Sequence, residues 1–307
     1  MSNSASSFTG VSSGYTAGTP VPADSPIRDN IADAVRRVRE TTPLAQSFTN
    51  FVTINLVANA QLAAGGTAAM SFLPDDVIET AKIAGANYIN VGTLLPFYKD
   101  ALADIAPKLQ YLGKPWVLDP VAAGIGKTRT AILQSFKAAP PTMIRANASE
   151  VIALANMWGL NTETVGDASE HRPAGVESVD DVESAIAPAQ RLARFMARHG
   201  ANGTAAVAVS GATDMVTDGE HVYRLAGGSA MMTKITGAGC SLGGVTAVYL
   251  AVAQPLIAAL AATSLYNTAG EIAEKRSNGP GSFQVALLDA LWNVTAEEVA
   301  DRAIDMR

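Results

Sequence analysis

The chain of 307 residues is long enough for one large α/β domain, and 48% of it is hydrophobic against 16% charged, the balance of a compact enzyme and not of a disordered or fibrous chain. A formal net charge of −6 with only 22 lysines and arginines leaves little basis for holding a phosphate backbone, so no nucleic-acid partner is expected. The single cysteine, Cys240, excludes an intrachain disulfide, and without a basic-then-apolar leader a cytoplasmic location is expected.

Residues 1 to about 24 are rich in Ser, Gly, Thr and Pro and carry no apolar period, which predicts a disordered extension ahead of a single domain over residues 25–307. Ser25 followed by Pro26 predicts a helix start, with Ile31, Ala34, Val35 and Val38 falling on one face. Short β-like runs at 68–72, 88–91, 115–119, 142–145 and 205–210 alternate with helical stretches such as 76–85 and 127–137. Strands joined by helix-length crossovers predict an α/β fold, a mostly parallel sheet with helices on both faces. Asp218-Gly219, set between two further β-like runs, predicts a tight antiparallel hairpin. From Ile235 to Gly270 no residue is charged. Gly243-Gly244 and Gln254-Pro255 nevertheless divide this stretch into helices too short to span a membrane, which takes about 20 apolar residues. Another helix is expected after Gly279-Pro280-Gly281-Ser282.

Thr236-Gly237-Ala238-Gly239-Cys240 opens a long helix. Glycines there allow close approach of a ligand, and the first helical amides are free donors at the positive end of the dipole, so an anion should bind. The dinucleotide pattern fails because Leu242 stands where its third glycine belongs, and Gly124-Ile125-Gly126-Lys127-Thr128 fails as a phosphate loop because Val121 replaces the first glycine. Asp119 closes a strand before Pro120, and Arg145, Asn147 and Glu150 follow another. Two carboxylates sharing one Mg²⁺, with an arginine facing phosphate, suit ATP chemistry. Taken singly, Asp119 is better read as a turn residue before proline, Glu150 as a first-turn helix charge and Cys240 as a buried small hydrophobe, though its place at a helix N-terminus favours a lowered thiol pKa. His171, His199 and His221 are scattered and do not form a zinc site.

The order of these pieces closely resembles the hydroxyethylthiazole kinases: Pro43-Leu44 to Thr53, Asn90-Val91-Gly92-Thr93-Leu94, Leu118-Asp119-Pro120-Val121, Arg145 to Glu150, Val209-Ser210-Gly211, Asp218-Gly219, Gly237 to Cys240, and Gly279 to Phe283. The resemblance spans about residues 30–295 and implies a ribokinase-like three-layer fold. It also implies ATP-dependent phosphorylation of the hydroxyl of 4-methyl-5-(2-hydroxyethyl)thiazole in thiamine salvage.

By the same resemblance Gly237, Ala238, Gly239 and Cys240 form an anion hole for the transferring phosphoryl group, with Cys240 a candidate proton acceptor. Arg145, Ser210 and Asn147 serve ATP, Asp119 and Glu150 hold Mg²⁺, and Met70, Asn50 and Gly237 line the thiazole pocket. A homotrimer with sites between subunits is implied as well. Gln46 stands where a histidine is common, and Gly66 to Met70 lacks the customary proline; both are expected near the pocket. A kinase of hydroxymethylpyrimidine or pyridoxal, and a non-catalytic nucleotide-binding protein of the same fold, are the competing expectations.

Overall fold

The computed structural model describes residues 18–161 and 181–307. Residues 1–17 of the expected extension, and His171, lie outside the described residues. In chain order the elements are β1 (Thr19–Pro20), α1 (Pro26–Thr41), β2 (Leu44–Phe48), α2 (Ile54–Ala63), β3 (Thr67–Met70), α3 (Pro74–Ile83), β4 (Ala86–Asn90), α4 (Tyr98–Tyr111), β5 (Trp116–Asp119) and α5 (Lys127–Ser135). There follow β6 (Met143–Asn147), α6 (Ala148–Met157), α7 (Ile186–His199), β7 (Ala206–Ser210), β8 (Thr213–Thr217), β9 (Val222–Ala226), α8 (Ala238–Leu250), α9 (Pro255–Arg276), α10 (Pro280–Asn293), α11 (Ala296–Ala300) and β10 (Ile304–Met306).

These strands form one sheet in the order β1-β10-β9-β8-β7-β6-β5-β4-β2-β3. From β3 to β7 every pairing is parallel, and from β7 to β1 every pairing is antiparallel. Side chains alternate across the sheet, so each strand feeds two cores. On one face Ala86, Tyr88, Val117 and Met143 pack with Val57 of α2, Val245 of α8 and Leu260 of α9. On the other, Ile89, Leu118, Ile144 and Val207 pack with Val77 of α3, Leu102 of α4 and Leu192 of α7. Each such fully buried Val or Leu contributes about 1.5–3 kcal/mol relative to exposure.

Local signals set the boundaries much as expected. Ser25 Oγ accepts from Ile27 N at the start of α1, Pro255 and Pro280 begin α9 and α10, and Gly219 turns the β8–β9 hairpin at φ +101°.

Three features differ from expectation. Thr19–Pro20 pairs with Asp305–Met306, so the part of the presumed extension from residue 18 joins the sheet edge. The sequence gives no strand signal for β2, because Gln46 and Ser47 are polar yet buried; Ser47 Oγ accepts from Gln61 Nε2 at 3.0 Å. Finally, α8 runs unbroken through Gly243 and Gly244. A Cβ on Gly243 would stand 2.6 Å from the Tyr88 ring, and one on Gly244 would stand 2.7 Å from Val57, so these glycines serve close packing instead of ending the helix. Among the described residues no helix is long and apolar enough to cross a membrane.

The chain leaves β2 for β3 on one side, while β4 to β7 lie on the other. The order of the strands therefore reverses between β2 and β4, and ligands of open α/β sheets gather outside the carboxyl ends of the strands at such a point.

Candidate active site

Asn50 follows β2, and Asn90 ends β4 directly opposite Asp119 at the end of β5. Across the switch point Asn50 Nδ2 donates to Asn90 Oδ1 at 2.9 Å. Backbone donors fix both amide orientations: Gly92 N donates to Asn90 Oδ1 at 2.8 Å and Thr53 N to Asn50 Oδ1 at 3.2 Å. The Asn90 amino group is thereby turned to Cys240 Sγ (3.2 Å), Asp119 Oδ2 (3.0 Å) and the Tyr88 hydroxyl (2.9 Å). Tyr88, wholly buried, donates to the same Asp119 Oδ2 at 2.8 Å. One carboxylate oxygen is closed by these donors, while Asp119 Oδ1 is buried without a partner.

Arg145, from β6, completes the cluster. Its Nη2 donates to Ser210 Oγ at 2.7 Å, and its Nη1 lies 3.9 Å from Asp119 Oδ2. Burial raises the Asp119 pKa, opposed by the Arg145 charge and by the Tyr88 and Asn90 hydrogen bonds. For Arg145, burial works against the charge, but Asp119 and Glu150 outweigh it and hold the guanidinium above its ordinary value.

Glu150 sits in the first turn of α6 in a reciprocal cap with Asn147: Glu150 Oε2 accepts from Asn147 N and Asn147 Oδ1 accepts from Glu150 N, each at 2.9 Å. Its Oε1 accepts from Ala122 N at 3.0 Å, which holds the loop after β5, where Ala122 adopts φ +58°. Burial, and then the nearby Asp119 charge, push Glu150 up to about 7.

Over this group stands the N-terminus of α8. Gly237 adopts φ +92°, and a Cβ there would meet Thr53 Cγ2 at 2.7 Å. The first helical bond is Ser241 N to Gly237 O at 2.8 Å, so the amides of Ala238, Gly239 and Cys240 precede the ladder. A Cβ on Gly239 would lie 2.5 Å from Arg145 Nη1, which places the guanidinium against that first turn. Burial and the Asp119 charge push the Cys240 thiol up to about 11, so it is protonated at neutral pH. Free amides, the helix dipole and a fixed arginine converge on one point, an arrangement of donors that suits an anion.

The structure thus brings together Asn50, Asp119, Arg145, Ser210 and the segment Gly237–Cys240, with Asn147 and Glu150 in an adjoining layer. Met70, half-buried at the end of β3, pairs with Ser47 one strand beyond Asn50. Gln46 lies opposite Asn87 and Ala69 and, by strand alternation, on the face away from Ser47, α2 and α8. Tyr88 and Asn90 were not singled out from the sequence; the signal for Asn90 was its place at the end of a strand, like that of Asp119. Among the described residues no group of three His, Cys, Asp or Glu side chains could hold a metal by itself.

Comparison with known proteins decides the family, since the model of the hydroxyethylthiazole kinase family matches residues 35–297. The chain belongs to the hydroxyethylthiazole kinase family. A hydroxyethylthiazole kinase of Bifidobacterium longum is 82% identical over 99% of both chains. Another, from Clavibacter sepedonicus, is 43% identical over 88% of this chain and 91% of its own. The structure of a hydroxyethylthiazole kinase from Pyrococcus horikoshii superposes with a TM-score of 0.77 at 30% identity, over 91% of this chain and 99% of that one.

More distantly, a pyridoxal kinase of Staphylococcus aureus shares the fold at 14% identity, with a TM-score of 0.53 over 86% of this chain and 97% of its own. A ribokinase-like protein of Enterococcus faecalis does so at 15% identity, with a TM-score of 0.52 over 90% and 91%. The fold is therefore ribokinase-like, and this member of the hydroxyethylthiazole kinase family is a kinase that uses ATP as phosphoryl donor.

Proposed function

We propose that the protein transfers the γ-phosphoryl group of ATP to the hydroxyl of 4-methyl-5-(2-hydroxyethyl)thiazole, a step of thiamine salvage. The observation that carries this reading is the cradle of Gly237, Ala238, Gly239 and Cys240 standing against Arg145 at the topological switch point. Its amides and the guanidinium face an incoming phosphoryl group with donors already in place, so charge that develops during transfer is stabilised without rearrangement. Asn50 and Met70 hold the alcohol on the β2–β3 side, and Gly237, lacking a side chain, lets its hydroxyl approach. Arg145, Ser210 and Asn147 hold the nucleotide from the β6–β7 side. Cys240, whose thiol burial and the Asp119 charge hold protonated at neutral pH, adjoins the reacting hydroxyl as a hydrogen-bonding neighbour, and a proton acceptor there would need that charge neutralised by a bound cation.

The orphaned Asp119 Oδ1 fits a metal bound jointly with phosphate oxygens, since Mg²⁺ takes one or two carboxylates and keeps several waters. Glu150, whose oxygens already accept from Ala122 N and Asn147 N, would contribute through water. The ion would supply neutralisation of the β- and γ-phosphate charge.

Phe51 and Val52, 47% and 52% exposed beside Asn50, are apolar surface that a homotrimer with sites between subunits would cover. The domain expected over residues 25–307, extended to take in β1 at the sheet edge, is proposed to be a single kinase domain acting in the cytoplasm.

The test is ATP- and Mg²⁺-dependent phosphorylation of the thiazole alcohol, with hydroxymethylpyrimidine and pyridoxal alongside and Gly237→Asp as the blocked cradle. Preferred turnover of the thiazole, lost in the variant, is the expected result. Preference for another alcohol overturns the substrate, and ATP binding without transfer to any of them favours a binding protein of the same fold.

A further inference from the structure

Asp214, near the start of β8, is a buried carboxylate outside the cluster described above. Both of its hydrogen-bond donors are neutral: Gly211 N reaches Oδ1 and Asn267 Nδ2 reaches Oδ2, each at 3.0 Å. Burial works against the Asp214 charge, opposed by these two hydrogen bonds and by the Arg145 and Arg302 charges at longer range. What the arrangement does accomplish is a tie between three pieces of chain.

The first is the turn at Gly211, one residue beyond Ser210, whose hydroxyl accepts from Arg145. The second is α9, which carries Asn267. The third is the bend at Gly227-Gly228, where φ is +118° and +89° and where a Cβ on Gly228 would stand 3.0 Å from Asn267 Oδ1. Gly228 N also donates to Glu271 Oε1 of the same helix at 3.2 Å. Because Thr213 pairs with Ala226, the turn and the bend leave the sheet side by side, at the end where Ser210 lies. If ATP binds as proposed above, with its terminal phosphate at the cradle and another near Arg145 and Ser210, these two loops adjoin the nucleotide, because they leave the sheet beside Ser210.

We infer that Asp214 and Asn267 are positioning residues that clamp the turn after β7 and the bend after β9, and so set affinity for the nucleotide and not the rate of transfer. The inference rests on the ATP reading above but not on the identity of the alcohol. A clamp that holds loops in their bound shape lowers the ordering cost of binding and leaves the reacting atoms untouched.

The experiment is calorimetric titration of ADP into the full chain without alcohol, together with steady-state turnover. Asn267→Ala is expected to weaken ADP binding about tenfold while kcat at saturating ATP stays within about threefold, the loss of a preorganised contact. The double exchange Asp214→Asn with Asn267→Asp reverses the direction of the bond, keeps an acceptor for Gly211 N, and is expected to restore most of the affinity. Unchanged ADP affinity in folded Asn267→Ala overturns the inference, as does lost affinity that the double exchange fails to recover. Native protein that does not bind ADP overturns both the ATP reading and this one. Native protein that binds ADP but ignores the thiazole removes only the substrate.

Discussion

Arg145→Ala is expected to lower kcat by about 10³-fold, the scale on which an arginine facing a transferring phosphoryl group acts. Its guanidinium touches Ser210, borders Asp119 and lies against Gly239 at once. Removal takes away a charge that faces the phosphates and also strands the buried Asp119 carboxylate, whose pKa burial already raises. Arg145→Lys should recover little, because an ammonium group cannot present two donors at the angle that Ser210 and an anion require together. Turnover with saturating ATP and thermal unfolding of the three proteins check this. Activity within about tenfold of native in Arg145→Ala would remove the residue from the phosphoryl site.

Gly239→Ala should lower kcat by about 10²-fold, as displacement of a catalytic group by about an ångström does, while leaving the fold intact. The new methyl would occupy the space 2.5 Å from Arg145 Nη1 and push the guanidinium off the first turn of α8. Alanine is the better helix former by about 1 kcal/mol, so the melting temperature should hold or rise. Gly237→Ala makes the contrast, since at φ +92° and 2.7 Å from Thr53 the added methyl strains the backbone itself and should cost stability as well as rate. Equal loss of stability in the two variants would argue that Gly239 serves packing and not the cradle.

The α/β class, the hairpin at Asp218-Gly219 and the helix starts at Ser25, Pro255 and Pro280 were legible because each depends on local chemistry: a period, a cap, a turn. The strand β2 was not, because Gln46 and Ser47 break the apolar pattern, and the Gln61 amide that accommodates the buried Ser47 comes from the following helix. Gly243 and Gly244 read as helix breakers, because nothing near them in sequence says that Tyr88 and Val57 press on that face. For the site, Asp119, Arg145, Glu150 and Gly237–Cys240 were visible as charged or glycine-rich positions at element ends. Asn90 stood at a strand end, opening the segment Asn90 to Leu94, and Tyr88 two residues before it, but only the parallel register that sets Asn90 beside Asp119 reveals what their polar groups meet. The purpose of Asp214 was hidden in the same way, depending on Asn267 of a later helix.

Helix α8 has no wet side: every residue from Ser241 to Leu250 is buried. Its neighbours Val57, Gln61, Tyr88 and Arg145 come from parts of the chain far before it, Gln61 lying 183 residues ahead of Gly244, whose carbonyl it meets. During refolding the cradle therefore cannot exist until α2 and strands β2 to β6 have assembled around the place that α8 will fill, a late event for a fold with so many non-local pairings. Enzyme activity should return only with the slowest refolding phase, after most of the helical circular dichroism, and no half-folded species should carry partial turnover.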